Sequence, residues 1–166
     1  RYRESMQIIV MLCGTVAIGI IGVIDDIFNL PALFKLICQV LIATATAYFG
    51  GAITYTTVFG STIIFGNVSI LITVGWIVLM INAINLLDGL DGLACSVTGI
   101  GLFATAFIAA LVGYYEAALT AAILCGAAIG FFPLNSHPAK VFMGDTGSMM
   151  LGYVVSCISV FWVMKG

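Results

Sequence analysis

The 166-residue chain is 63% hydrophobic and 7% charged, with a mean hydropathy of +1.25, and a water-soluble domain of this length has no way to hide that much apolar surface. Its formal net charge of −2 comes from 5 basic and 7 acidic residues with no basic cluster. Nothing therefore points to nucleic acid, and a lipid bilayer is left as the solvent.

Residues 1–5 (RYRES) precede an apolar stretch too long for a signal-peptide core, and they carry no small-residue cleavage pattern. With no initiator Met, the chain reads as one membrane domain, 1–166, cut from a longer protein and lacking its N-terminal and C-terminal spans. A bilayer-crossing helix takes ~20 apolar residues. Runs of that kind cover 6–24, 36–53, 70–87, 93–113, 117–134 and 149–164. The predicted fold is all-α, a polytopic membrane helix bundle of about six transmembrane helices. Between the second and third runs, 54–69 (TYTTVFGSTIIFGNVS) is rich in Thr, Ile, Val and aromatics, and Gly60-Ser61 can turn it, so a short β-hairpin is expected. Open strand edges are not tolerated in lipid, which puts the hairpin at the water interface or against the helices. Gly126 and Gly130 form a GxxxG pair expected to let two helices approach closely. The 5 cysteines have no metal-ligand spacing and read as small buried residues.

Counting crossings places the connections 25–35, 88–92 and 135–147 on one side of the membrane. All five aspartates, Asp25, Asp26, Asp88, Asp91 and Asp145, fall there, whereas Glu4 and Glu116 fall on the other side. The basic residues do not orient the chain: Lys35 and Lys140 lie on the aspartate side, and Arg1, Arg3 and Lys165 on the other.

Asp25 and Asp26 close the first run, where the negative end of the helix dipole and their mutual repulsion both disfavour them. A divalent cation or the nearby Lys35, across a short loop with Pro31, would compensate; an ordinary solvated helix end is the plainer reading. In NAINLLDGLDGLA, 82–94, Asn82, Asn85 and Asp88 recur every three residues, a polar stripe whose oxygens suit a hard cation such as Mg²⁺ or serve interhelical hydrogen bonds. Gly89 and Gly92 beside Asp88 and Asp91 permit a sharp turn and close approach of a bulky ligand. In HPAKVFMGDTGS, 137–148, Asp145 opens the last helix, either as its cap or as a metal ligand with nearby amides and Lys140 meeting phosphate oxygens. His137, a lone histidine before a proline, reads as peripheral. Together these connections form a phosphate-and-metal face, and phosphoryl transfer asks for positioning and charge neutralisation more than for a strong base.

In order and wording, DDIFNLPALFKL, NAINLLDGLDGLA and HPAKVFMGDTGS resemble the motifs of the polyprenyl-phosphate N-acetylhexosamine-1-phosphate transferases of glycosyltransferase family 4. They look most like the undecaprenyl-phosphate GlcNAc-1-phosphate branch, with the muramoyl-pentapeptide branch as the close alternative. The resemblance implies that Asn85 and Asp145 hold Mg²⁺ (or Mn²⁺) and that Asp25 and Asp26 act at the lipid phosphate, with Asp88 among the catalytic carboxylates. It implies further that Lys35 contacts the diphosphate, that Gly89, Asp91 and Phe142 shape the uridine pocket, and that Asn82 and Lys140 belong with the substrate contacts. The partners it implies are a polyprenyl phosphate, a UDP-N-acetylhexosamine, the bilayer and a second copy in a homodimer, with no nucleic acid. The expected location is the bacterial plasma membrane with the site facing the cytoplasm and the hairpin outside. Two family elements are missing from these residues, a glycine-containing N-terminal loop and a late histidine/arginine-rich loop. The rival from another class is a secondary transporter, whose sites sit near the bilayer midplane on broken helices rather than at span ends.

Overall fold

The computed structural model describes residues 2–58 and 61–163. Six α-helices carry the chain: α1 (Tyr2–Phe28), α2 (Ala32–Phe49), α3 (Ser69–Leu87), α4 (Leu93–Val112), α5 (Tyr115–Asn135) and α6 (Gly144–Ile158). Five stretches are long and apolar enough to cross a membrane, Glu4–Phe28, Ala32–Phe49, Gly66–Leu87, Leu93–Val112 and Tyr115–Asn135. The sixth predicted span differs. Its α-helix starts at Gly144 rather than 149, runs 15 residues, and passes into a π-helical turn at Ser159–Val163. It is the most enclosed helix, burying Ser148, Met149, Gly152, Tyr153, Val154, Ser156, Cys157 and Ile158.

The expected hairpin is present as two antiparallel strands, β1 (Tyr55–Val58) and β2 (Ser61–Ile64), with Tyr55 opposite Ile64 and Val58 opposite Ser61. Gly60 of its turn lies outside the described residues. Thr73 and Ser69, both buried, pin the approach to the hairpin: the Ile53 amide donates to Thr73 Oγ1 at 2.8 Å and Ser69 Oγ donates to the Ile53 carbonyl at 2.7 Å.

α1, α2, α3 and α6 close a four-helix ring in which α1 and α3 each contact both α2 and α6, while α4 and α5 pack chiefly on one another. The tight seams are made by glycines other than the GxxxG pair. A Cβ on Gly22 of α1 would collide with the Thr146 Cα of α6, and one on Gly152 of α6 would lie 2.7 Å from the Ile81 Cα of α3. Around Gly126 and Gly130 a Cβ would meet nothing within 4 Å among the described residues, so the expected close approach is not made between these helices. Outward-facing Leu41, Leu71, Phe103 and Leu111 are exposed, as lipid-facing side chains are.

Helix ends decide where the site residues stand. α2 begins at Ala32 rather than 36, because Pro31 (φ −58°, ψ 136°) sits at its N-cap and fixes the entry of the chain. Lys35 is therefore in the first turn of a helix, not in a loop. At the other end α2 stops at Gly50, whose amide donates to Thr46 O, short of the predicted 53.

Candidate active site

Asp25 and Asp26 occupy the last turn of α1, Lys35 the first turn of α2, Asp88 the C-cap of α3, and Asp145 the first turn of α6. Four helix ends thus meet on one face. Lys35 Nζ bridges two carboxylates, 2.6 Å from Asp25 Oδ2 and 3.3 Å from Asp145 Oδ2. Asp25 is buried, and its other oxygen accepts the Leu30 amide at 2.7 Å. Within the aspartate pair, Lys35 compensates Asp25 and not Asp26.

Asp26 is compensated differently. Its Oδ1 accepts the Asp145 amide at 2.9 Å, and its Oδ2 accepts the Thr146 amide at 3.1 Å and the Thr146 hydroxyl. Asp88 Oδ2 accepts the Gly144 amide at 3.0 Å. A helix leaves its first four N–H groups without intrahelical partners, and here three of them are filled by carboxylates from α1 and α3. The expectation that Asp145 caps α6 is corrected: Met143 stands at the N-cap and no side chain of that residue bonds the helix. The expectation that these amides wait for phosphate is corrected too, since Asp26 and Asp88 already hold them.

Freed from capping, the Asp145 side chain turns inward. Its Oδ1 accepts Asn85 Nδ2, and Asn85 Nδ2 also reaches Ser148 Oγ at 2.9 Å. The predicted stripe is real but divided. Asn85 and Asp88 face α6, while Asn82 lies about one turn earlier in α3 and donates to Gln39 Oε1 at 2.6 Å.

Four carboxylates against one ammonium leave this face strongly negative. Among the described residues Asp88 Oδ1 is buried with no hydrogen-bond partner, which is a costly state for a carboxylate oxygen and one that a hard cation would relieve. Desolvation raises the Asp88 carboxyl above its ordinary range, with the neighbouring Asp145 and Asp26 charges adding to the rise and the Gly144 and Met143 amides opposing it. No three His, Cys, Asp or Glu side chains among the described residues stand together as a metal-holding group. The donors that fit Mg²⁺ are two carboxylates, Asp88 and Asp145, with the Asn85 amide oxygen as a neutral third.

The remaining predicted residues form a second cluster. Asp91 accepts the Ala139 amide at 3.2 Å and meets His137 Nδ1 at 2.9 Å. Those bonds, the amide first, lower its carboxyl below the ordinary range. Asn135 Nδ2 donates to Val141 O at 3.1 Å, and the Lys140 and Val141 amides donate to Leu134 O. Gly92 has φ +70°, and a Cβ there would sit 3.4 Å from the Ser136 Cα. Asp91 and His137 thus strap the 136–143 loop to the α3–α4 turn. Gly89, Lys140 and Phe142 are exposed around this strap. Phe142 borders an apolar groove of about 310 Å³ between α1, α5 and α6, shared with Phe131, Met143, Gly147 and Met150.

Four residues of the site escape sequence reasoning. Gln39 is buried, with Nε2 3.4 Å from Met149 Sδ; a lone amide four residues past Lys35 in an apolar helix was the available signal. Thr146 and Ser148 are ordinary helix residues until their cross-helix bonds are seen. Asn135 is buried, with Oδ1 unpartnered among the described residues.

The description of glycosyl transferase family 4 matches residues 8–163. A phospho-N-acetylmuramoyl-pentapeptide-transferase of Clostridium botulinum (strain Alaska E43 / Type E3) is 37% identical over 98% of this chain and 54% of its own length. A protein named probable undecaprenyl-phosphate N-acetylglucosaminyl 1-phosphate transferase, from Bacillus subtilis (strain 168), is 38% identical over 99% of this chain and 46% of its own. A decaprenyl-phosphate N-acetylglucosaminephosphotransferase of Mycobacterium tuberculosis (strain CDC 1551 / Oshkosh) is 40% identical over 90% and 40%. The chain spans about half the length of the curated relatives it matches. On the family match across nearly its full extent, the chain belongs to glycosyl transferase family 4.

Proposed function

We propose that the protein carrying this chain transfers GlcNAc-1-phosphate from UDP-GlcNAc to undecaprenyl phosphate, releasing UMP, at the cytoplasmic face of a bacterial plasma membrane. The observation that carries the reading is the meeting of four aspartates and one lysine at helix ends on a single face. Names of relatives at 38% and 40% identity supply the polyprenyl phosphate acceptor and the GlcNAc donor.

The lipid phosphate is already largely ionised near neutral pH, so the chain's task is to bring two anions together and to neutralise charge on the departing UMP. Lys35, tied to Asp25 and Asp145, has a third ammonium hydrogen to offer a phosphate oxygen. Asp25 holds that ammonium in place. Asp145, Asp88 and the Asn85 amide oxygen would hold Mg²⁺, which when bound supplies charge neutralisation at the diphosphate worth several kcal/mol. Asp91 and His137 hold the 136–143 loop, and with it Phe142, beside the site where the nucleotide enters.

A second reading, transfer of phospho-N-acetylmuramoyl-pentapeptide, is favoured by the 37% identical relative from Clostridium botulinum. The full-length protein in detergent, given undecaprenyl phosphate and either radiolabelled UDP-GlcNAc or UDP-MurNAc-pentapeptide, separates the two. Label entering the butanol-extractable lipid from UDP-GlcNAc alone supports the proposal. Label from the pentapeptide donor alone replaces it with the second reading, and label from neither removes both.

A further inference from the structure

We infer that Thr146 is a positioning residue for the proposed reaction, acting with Asp26 as a clamp that fixes the Asp145 carboxylate. The inference rests on the functional reading above for its kinetic consequence, but its geometry stands on its own. Elsewhere in these helices threonine hydroxyls turn back on their own backbone: Thr15, Thr44, Thr98, Thr105 and Thr120 each donate to the carbonyl four residues earlier. Thr146 is the third residue of α6, where the carbonyl four back lies outside the helix, and its hydroxyl goes to Asp26 Oδ2 on α1 instead.

The seam is built for this contact. Gly22 lies one turn before Asp26, and its missing Cβ lets the Thr146 backbone rest on α1. Asp26 then takes three donors, two amides and one hydroxyl, on two oxygens. One of those amides belongs to Asp145, whose side chain points the other way, to Asn85 and Lys35. The same residue is gripped by its backbone and offered by its carboxylate. Asp26, with both oxygens engaged, holds the start of α6 instead of meeting the reacting phosphates. Removing the Thr146 hydroxyl frees one Asp26 oxygen and loosens the turn that aims Asp145.

The test uses the full-length protein with Thr146→Val, Thr146→Ser, Asp26→Asn and the Asp26→Asn/Thr146→Val pair, after confirming that each is monodisperse. Thr146→Val is expected to lower kcat about 10- to 100-fold, the scale of a roughly 1 Å misplacement. KM for both substrates should stay within about twofold, since the clamp touches neither of them. Thr146→Ser should restore kcat, because it restores the hydroxyl. The double variant should be no slower than Asp26→Asn by more than about twofold, since both changes open one clamp. Amide hydrogen exchange at Asp145 and Thr146 should quicken in Thr146→Val, and this readout needs no turnover. Wild-type kcat in Thr146→Val, multiplying losses in the double variant, or unaltered exchange overturns the clamp. Absence of transfer by the wild-type protein overturns the functional reading, while the exchange result still decides whether the clamp exists.

Discussion

Desolvation holds the Asp88 carboxyl above its ordinary value even though an amide donates to it. A folded-state value above the unfolded one means that the folded chain binds that proton more tightly. The cost of ionising Asp88 is therefore absent at low pH, grows as pH rises from the unfolded value through the folded one, and is full once pH lies well above the folded value. In chelator-treated samples at pH 7, Asp88→Asn should raise the melting midpoint by ~2–4 °C for each ~1 kcal/mol relieved. In the full-length protein the same change should cost at least about 100-fold in kcat. A lowered midpoint contradicts the burial argument, and near-normal turnover contradicts the catalytic one. Lys35 and Asp25 separate along another axis. Lys35→Ala removes a phosphate contact and should chiefly raise KM for the nucleotide sugar, whereas Asp25→Asn should lower kcat about 100-fold, both read from initial rates with each substrate varied. Equal effects on the two parameters in both variants would mean that the pair acts only as a structural bridge.

Run length located five of the helices in advance because the bilayer sets it, and aspartates in an apolar chain announced themselves by their cost. Helix ends were harder to read, since tertiary partners set them: α6 starts at Gly144 because Asp26 and Asp88 on other helices take its first amides. The same cause hid the division of labour between Asp25 and Asp26, identical neighbours in sequence that face a lysine and a helix terminus respectively. Small residues misled for a related reason. A GxxxG pair shows that close approach is possible, and only packing shows where it is used. Gly152→Val should therefore lower the melting midpoint through overpacking against Ile81, at a cost of about 1–3 kcal/mol. In the 166-residue chain Gly126→Val and Gly130→Val should leave it within about 1 °C, as changes that touch no neighbour do. A larger loss at Gly130 than at Gly152 would show that the helix seams are drawn in the wrong place.

At the scale of the molecule, a ring of α1, α2, α3 and α6 brings four helix ends to one face, and α4 with α5 stands beside it. The carboxylates lie in last turns, first turns and caps, which is the arrangement of an interfacial enzyme rather than of a midplane transport site. On the proposed reading, a negative face that handles anionic phosphates would need an added cation, and an acceptor embedded in the bilayer would account for a face at span ends. Both demands meet in one measurement: UMP release from UDP-GlcNAc by the full-length protein, with undecaprenyl phosphate and Mg²⁺ each supplied or withheld. The expected result is release only when both are present, with Mn²⁺ able to replace Mg²⁺. Release without the lipid, or undiminished release in excess chelator, would contradict it.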